Sequence, residues 1–130
     1  MKIDKTLDTL KNTGKIQAEA IENGFRWDDI HGVFEKIKEE LAEVEEAVHS
    51  GDTEHAVEEA GDLLFSVAIL GYYLKTCPSE IMQSANHKYV RRYTGMEQAC
   101  KEAGEDFSKL TLDRRMHYWK LVKAQEKASN

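Results

Sequence analysis

The chain is poor in the residues and patterns that mark several common protein classes. It holds one proline, and with 32% charged and 41% hydrophobic residues this favours a mainly helical globular chain over a sandwich, a disordered tail or a membrane protein. Its two cysteines, Cys77 and Cys100, form no Cys-x-x-Cys pair and no metal-ligand spacing. Met1-Lys2-Ile3-Asp4 leads into polar sequence without a secretory signal, so two reduced thiols in a cytoplasmic protein are expected. The longest nearly apolar stretch, Leu63 to Leu74, falls short of the roughly 20 residues a membrane span requires, and is read as a core helix with no membrane partner.

Basic charge is also short: 18 Lys and Arg face 24 Asp and Glu, a net charge of -6, which speaks against nucleic acid as a ligand. Thr13-Gly14-Lys15 lacks the earlier glycine that a phosphate loop requires. The five histidines share no spacing, and neither a Ser-His-Asp nor a Cys-His arrangement can be assembled from spacing.

What is present is helical punctuation. The length suits a single domain, 1–130, with an N-terminal helix over 1–23, a helical core over 24–96 and a C-terminal extension and helix over 97–130. Gly24-Phe25-Arg26-Trp27 interrupts the first helix, and Asp28 or Asp29 caps the next. From Ile30 to His49, the residues Val33, Phe34, Ile37, Leu41, Val44 and Val48 are spaced as a bundle-facing stripe. Ser50-Gly51-Asp52-Thr53 closes that helix and caps a second, from about Glu54 to Lys75, to give an antiparallel hairpin. Pro78 suits the first turn of a third helix running to about Met96, and Thr111 caps a last one. The fold class expected is an all-α antiparallel bundle of about four to five helices. It is completed by dimerisation, because the second helix has more apolar surface than one hairpin covers.

Two acidic clusters stand out on the hairpin. At about 100° per residue, Glu40 and Glu43 share one shoulder of the stripe centred on Ile37, whereas Glu35, Glu39 and Glu46 point more to solvent. Glu59 and Asp62 share a shoulder of the second helix through Leu63. Facing shoulders would collect Glu40, Glu43, Glu59 and Asp62, a crowd of carboxylates that repel one another until a hard divalent cation binds. The ordinary alternative is a solvated acidic face with i,i+4 partners. It explains the first cluster readily and the second less well, since Glu59 and Asp62 adjoin Leu63-Leu64-Phe65, where unpaired charge is costly. A carboxylate-bridged di-iron site wants Glu-x-x-His pairs facing inward, and the one such spacing, Glu46 to His49, begins opposite the stripe.

Lys36-Ile-Lys-Glu39-Glu40-Leu-Ala-Glu43, then Glu58-Glu59-Ala-Gly-Asp62-Leu-Leu-Phe65, then Ala85-Asn86-His-Lys88-Tyr-Val-Arg91-Arg92-Tyr93 resemble the signature of the all-α nucleoside triphosphate pyrophosphohydrolases, specifically the MazG-like branch. The resemblance covers most of the chain from about Gly24 onward. It implies a Mg²⁺-dependent hydrolase, with Mn²⁺ as a substitute, that converts a nucleoside triphosphate to monophosphate and pyrophosphate. It further implies a homodimer or a dimer of dimers. Carried over, Glu40, Glu43, Glu59 and Asp62 are the metal ligands. Lys36, Lys88, Arg91 and Arg92 contact phosphates, Asn86 and Trp27 lie near the nucleoside, and Glu39 or Glu40 orients or deprotonates the attacking water. The plain alternative is a solvated helix face for Lys88, Arg91 and Arg92, and core packing for Trp27 and Tyr93. Some members of the family carry two copies of the domain where this sequence shows one. Two rivals remain: a specialised dCTP or dUTP pyrophosphatase, and a catalytically idle bundle that binds metal or a partner.

Overall fold

A computed structural model of the protein describes residues 1–129. The elements are α1 (Thr9–Glu22), α2 (Ile30–Ser50), α3 (Thr53–Ala68), α4 (Leu70–Tyr73), α5 (Pro78–Glu102), a 3₁₀ turn (Phe107–Lys109) and α6 (Leu112–Ser129). The fold is all-α, with no strand among the described residues. No helix among them is long and apolar enough to cross a membrane. Packing groups the residues into two compact units, Met1–Met82 and the segment from Gln83 onward, with the boundary inside α5.

In the first unit the hairpin of α2 and α3 dominates. Asp29 starts α2 by accepting from the His31 amide at 2.8 Å. Gly51, at φ 80°, ends it, and Asp52 starts α3 by accepting from the His55 amide at 3.1 Å. These caps leave a two-residue connection, so the helices double back on each other. The stripe read from the sequence needs correction. The residues of α2 that are buried are Val33, Glu40 and Ala47, one every seven positions, while Phe34, Leu41 and Val48 remain exposed. The face that meets α3 is rotated from the most apolar one, which puts Glu40 on its midline rather than its shoulder.

The helix expected over 54–75 is interrupted at Ile69. Just before the break, buried Gln17 of α1 donates from Nε2 to the Phe65 carbonyl at 2.7 Å and ties α1 to α3. Gly14 does more than weaken α1, because a β-carbon there would lie 2.9 Å from Cδ of Pro78, the first residue of α5. A core of Ile21, Val33 and Ile69 gathers Trp27, Ile37, Leu70 and Tyr73 around it.

In the second unit Met96, Cys100, Tyr118 and Val122 form the core, with Ala99, Phe107, Leu110 and Trp119 against it. The third long helix extends to Glu102, a turn and a half beyond the end read from the sequence, because the Met96 and Cys100 face continues to find α6. Thr111 caps α6 as expected, its Oγ1 accepting from the Arg114 amide at 3.2 Å. The loop before α6 is held by Glu105, which accepts from Arg114 and from the Tyr118 hydroxyl. Those contacts, Arg114 first, lower the Glu105 carboxyl to about 2.

Candidate metal and phosphate site

Carboxylate oxygens of Glu40, Glu43 and Glu59 lie within 4.8 Å of one another. Helix α2 supplies the first two, one turn apart, and α3 supplies the third across the hairpin. Glu40 is 5% exposed, and Glu43 and Glu59 are half-buried. A cleft of about 360 Å³ opens on the group, lined by Glu43, Glu46, Ala47, Ser50, His55 and Glu59.

The electrostatics divide the three. Lys36 Nζ stands 2.5 Å from Glu40 Oε1, and its hydrogen bond holds the Glu40 carboxyl below its ordinary value, with the lysine correspondingly raised. Glu43 has no such cation. The carboxylates of Glu40 and then Glu59 push its pKa up to about 7. His55 Nε2 lies 3.5 Å from Glu59 Oε1. Each of the two outer carboxylates thus has a basic side chain one turn before it, touching one oxygen. The other oxygens, Oε2 of Glu40 and Oε2 of Glu59, are buried without a hydrogen-bond partner among the described residues.

Two buried, unpartnered carboxylate oxygens beside a third carboxylate are costly unless something positive lies between them. A hard divalent cation fits this donor set, since all-oxygen ligands suit Mg²⁺ and Mn²⁺ rather than zinc. The residues present therefore suit the cation that the sequence implied.

Not every expected residue joins the group. Asp62 is exposed one turn beyond Glu59 and lies outside the three-carboxylate cluster, although the sequence placed it with them. Glu39 is exposed, 3.6 Å from Lys36 Nζ, and also lies outside. Lys36 is engaged with Glu40 instead of standing free. Trp27 packs in the core of the first unit with its ring against Gly32, and its carbonyl accepts from the Tyr73 hydroxyl at 2.8 Å. That is the packing role set beside the nucleoside role above.

The basic residues belong to the second unit. Asn86 and Lys88 are exposed on α5. Arg91 and Arg92 both donate from Nε to Glu126 of α6, at 3.0 and 2.9 Å, and hold its carboxyl below the ordinary range. The Arg92 guanidinium also lies 5.4 Å from the centre of the Trp119 ring. Near it, Tyr89, Tyr93, Phe107, Met116 and Trp119 are among the residues lining a cavity of about 840 Å³.

Sequence reasoning missed His55 and Glu126. The i,i+4 spacing of His55 to Glu59 was readable, as a copy of Lys36 to Glu40. Nothing local marks Glu126, which lies 34 and 35 residues from its partners.

Comparison with known proteins identifies the family of the chain. Residues 8–88, well over half of the chain, match the family described as phosphoribosyl-ATP pyrophosphohydrolase. The chain is 36% identical over 121 residues to a nucleoside triphosphate pyrophosphohydrolase/pyrophosphatase MazG of Thermotoga maritima, covering 93% of this chain and 46% of that protein. It is 32% identical over 126 residues to a nucleoside triphosphate pyrophosphohydrolase of Escherichia coli strain K12, covering 95% of this chain and 48% of that one. It thus spans about half the length of these curated relatives. The acidic cluster of α2 and α3 falls inside the matched region, and the chain belongs to the phosphoribosyl-ATP pyrophosphohydrolase family as a MazG-like member.

Proposed function

We propose that the chain is a Mg²⁺-dependent nucleotide pyrophosphohydrolase that converts a nucleoside triphosphate to its monophosphate and pyrophosphate. The observation that carries this is the triad of Glu40, Glu43 and Glu59 with two buried oxygens lacking partners. Relatives that match nearly all of this chain, over about half of their own length, bear the name of that activity. Glu40, Glu43 and Glu59 hold the cation, Mg²⁺ or in its place Mn²⁺, with Asp62 added one turn along α3. Such a cation neutralises phosphate charge, polarises the phosphoryl group and acidifies a bound water.

The chain's own residues do the rest. Lys36 keeps Glu40 ionised and oriented, and His55 Nε2 stands 3.5 Å from Glu59 Oε1. Glu39 or Glu40 orients the attacking water. Lys88, Arg91 and Arg92 contact the phosphates, which a protein of net charge -6 needs in order to hold so anionic a ligand. Asn86 lies near the nucleoside. The working form is a homodimer or a dimer of dimers, in the cytoplasm and without nucleic acid as a ligand. The exposed apolar residues Phe34, Leu41 and Val48 on α2 and Val57 and Leu64 on α3 support that assembly.

The test is incubation of the chain with Mg²⁺ and separate nucleotides, including dCTP, dUTP and phosphoribosyl-ATP, followed by separation of products. Monophosphate plus pyrophosphate from a triphosphate is the expected result. Diphosphate plus orthophosphate, or no turnover with cation binding intact, overturns it.

A further inference from the structure

Resting on the proposal that Arg91 and Arg92 contact phosphates, we infer that Glu126 is a positioning residue that gathers these two arginines and leaves their terminal nitrogens available to phosphate oxygens. Successive residues on a helix point about 100° apart, so Arg91 and Arg92 leave α5 in diverging directions. One carboxylate reverses that divergence: Glu126 Oε1 takes the Arg91 Nε and Oε2 takes the Arg92 Nε.

Which nitrogens are held matters. A guanidinium offers five N–H donors, and binding Nε alone leaves the four on the terminal nitrogens. Among the described residues no hydrogen bond engages those terminal nitrogens in either arginine. They are the pair of donors that matches two oxygens of a phosphate.

Arg92 is held from a second direction, its Cζ lying over the Trp119 ring at 5.4 Å from the centroid, and its side chain is only 19% exposed. Two contacts thus constrain it before a ligand arrives. Two guanidinium groups and one carboxylate still leave one net positive charge at the spot, so the anchor does not cancel the attraction for an anion. The lowered Glu126 carboxyl means that the anchor stays charged near neutral pH. A simple staple between α5 and α6 makes the same two bonds, but it has no bearing on how tightly phosphate is held.

The experiment uses the full chain and the variants Glu126→Ala, Glu126→Gln and Arg92→Ala. Steady-state hydrolysis of a triphosphate with Mg²⁺ gives KM and kcat, and calorimetry gives the affinity for inorganic pyrophosphate with Mg²⁺. Glu126→Ala is expected to raise KM and weaken pyrophosphate binding about tenfold, the effect of losing preorganised charge-assisted bonds, with a smaller change in kcat. Glu126→Gln keeps one acceptor oxygen and is expected to fall between the two, and it decides the matter if the alanine variant does not fold. An unchanged or lowered KM in a folded Glu126 variant, even with a lower melting temperature, overturns the inference in favour of a staple or a competitor for the seat. If Arg92→Ala raises KM while the Glu126 variants do not, only the role of Glu126 fails. If Arg92→Ala leaves KM and pyrophosphate affinity unchanged, the phosphate contact itself fails and takes this inference with it. Should the wild type turn over no triphosphate, the proposed activity fails and pyrophosphate affinity alone judges Glu126 by the same outcomes.

Discussion

At the scale of single residues, the tightest constraint is the seat of Trp27. A β-carbon at Gly32 would stand 2.4 Å from Cδ1 of the indole, so the ring rests directly on the backbone of α2. Gly32→Ala is expected to force the ring away and destabilise the protein by about 1–3 kcal/mol, as overpacking does. Thermal unfolding measures this, and an unchanged melting temperature contradicts the seat. The glycine was visible in the sequence, but its partner was not, because a missing side chain carries no sign of what fills its place. The acidic residues were more legible. Glu-x-x-Glu puts Glu40 and Glu43 one turn apart whatever the fold, and Glu59 needs only the hairpin to meet them. The depth of Glu40 was hidden, since it depends on which face of α2 meets α3. Asp62 shows the same limit from the other side: its spacing from Glu59 is right and its exposure depends on packing.

At the scale of elements, the turn into α6 hangs on Glu105. Its carboxyl accepts from Arg114 at 2.6 Å and from the Tyr118 hydroxyl at 2.5 Å, which lowers its pKa from 4.5 to about 2. A folded-state pKa below the unfolded one means that the stabilisation is complete above about pH 4.5 and is lost as pH falls from there towards 2. Thermal unfolding of the wild type and Glu105→Gln between pH 6 and pH 2 tests this. The wild type should melt higher at pH 6, with the gap closing across that acid range. A gap that stays constant contradicts the assignment. Helix ends were read well, because Asp29, Gly51, Asp52 and Thr111 act within their own turns. The break at Ile69 was not, because neither proline nor glycine stands at that position to mark it.

At the scale of the whole molecule, the proposed assembly rests on the exposed line of Phe34, Leu41 and Val48, which another copy of the chain would cover. Leu41→Glu is expected to shift the protein to monomer in light scattering behind size exclusion, whereas a wild type already monomeric at micromolar concentration contradicts the assembly. The composition pointed to helices and to an anionic protein, the anionic substrate was implied by the family resemblance alone, and the second compact unit from Gln83 onward was announced by neither. The account turns on three carboxylates serving as one cation site for hydrolysis. Its most direct measurement is pyrophosphate release from a nucleoside triphosphate by wild type and Glu59→Gln, titrated with Mg²⁺ side by side. Wild-type release should saturate with Mg²⁺ and vanish with chelator, and the variant should fall about 100-fold or more with its helical signal intact. Near-normal release by Glu59→Gln, or release indifferent to Mg²⁺, would contradict the account.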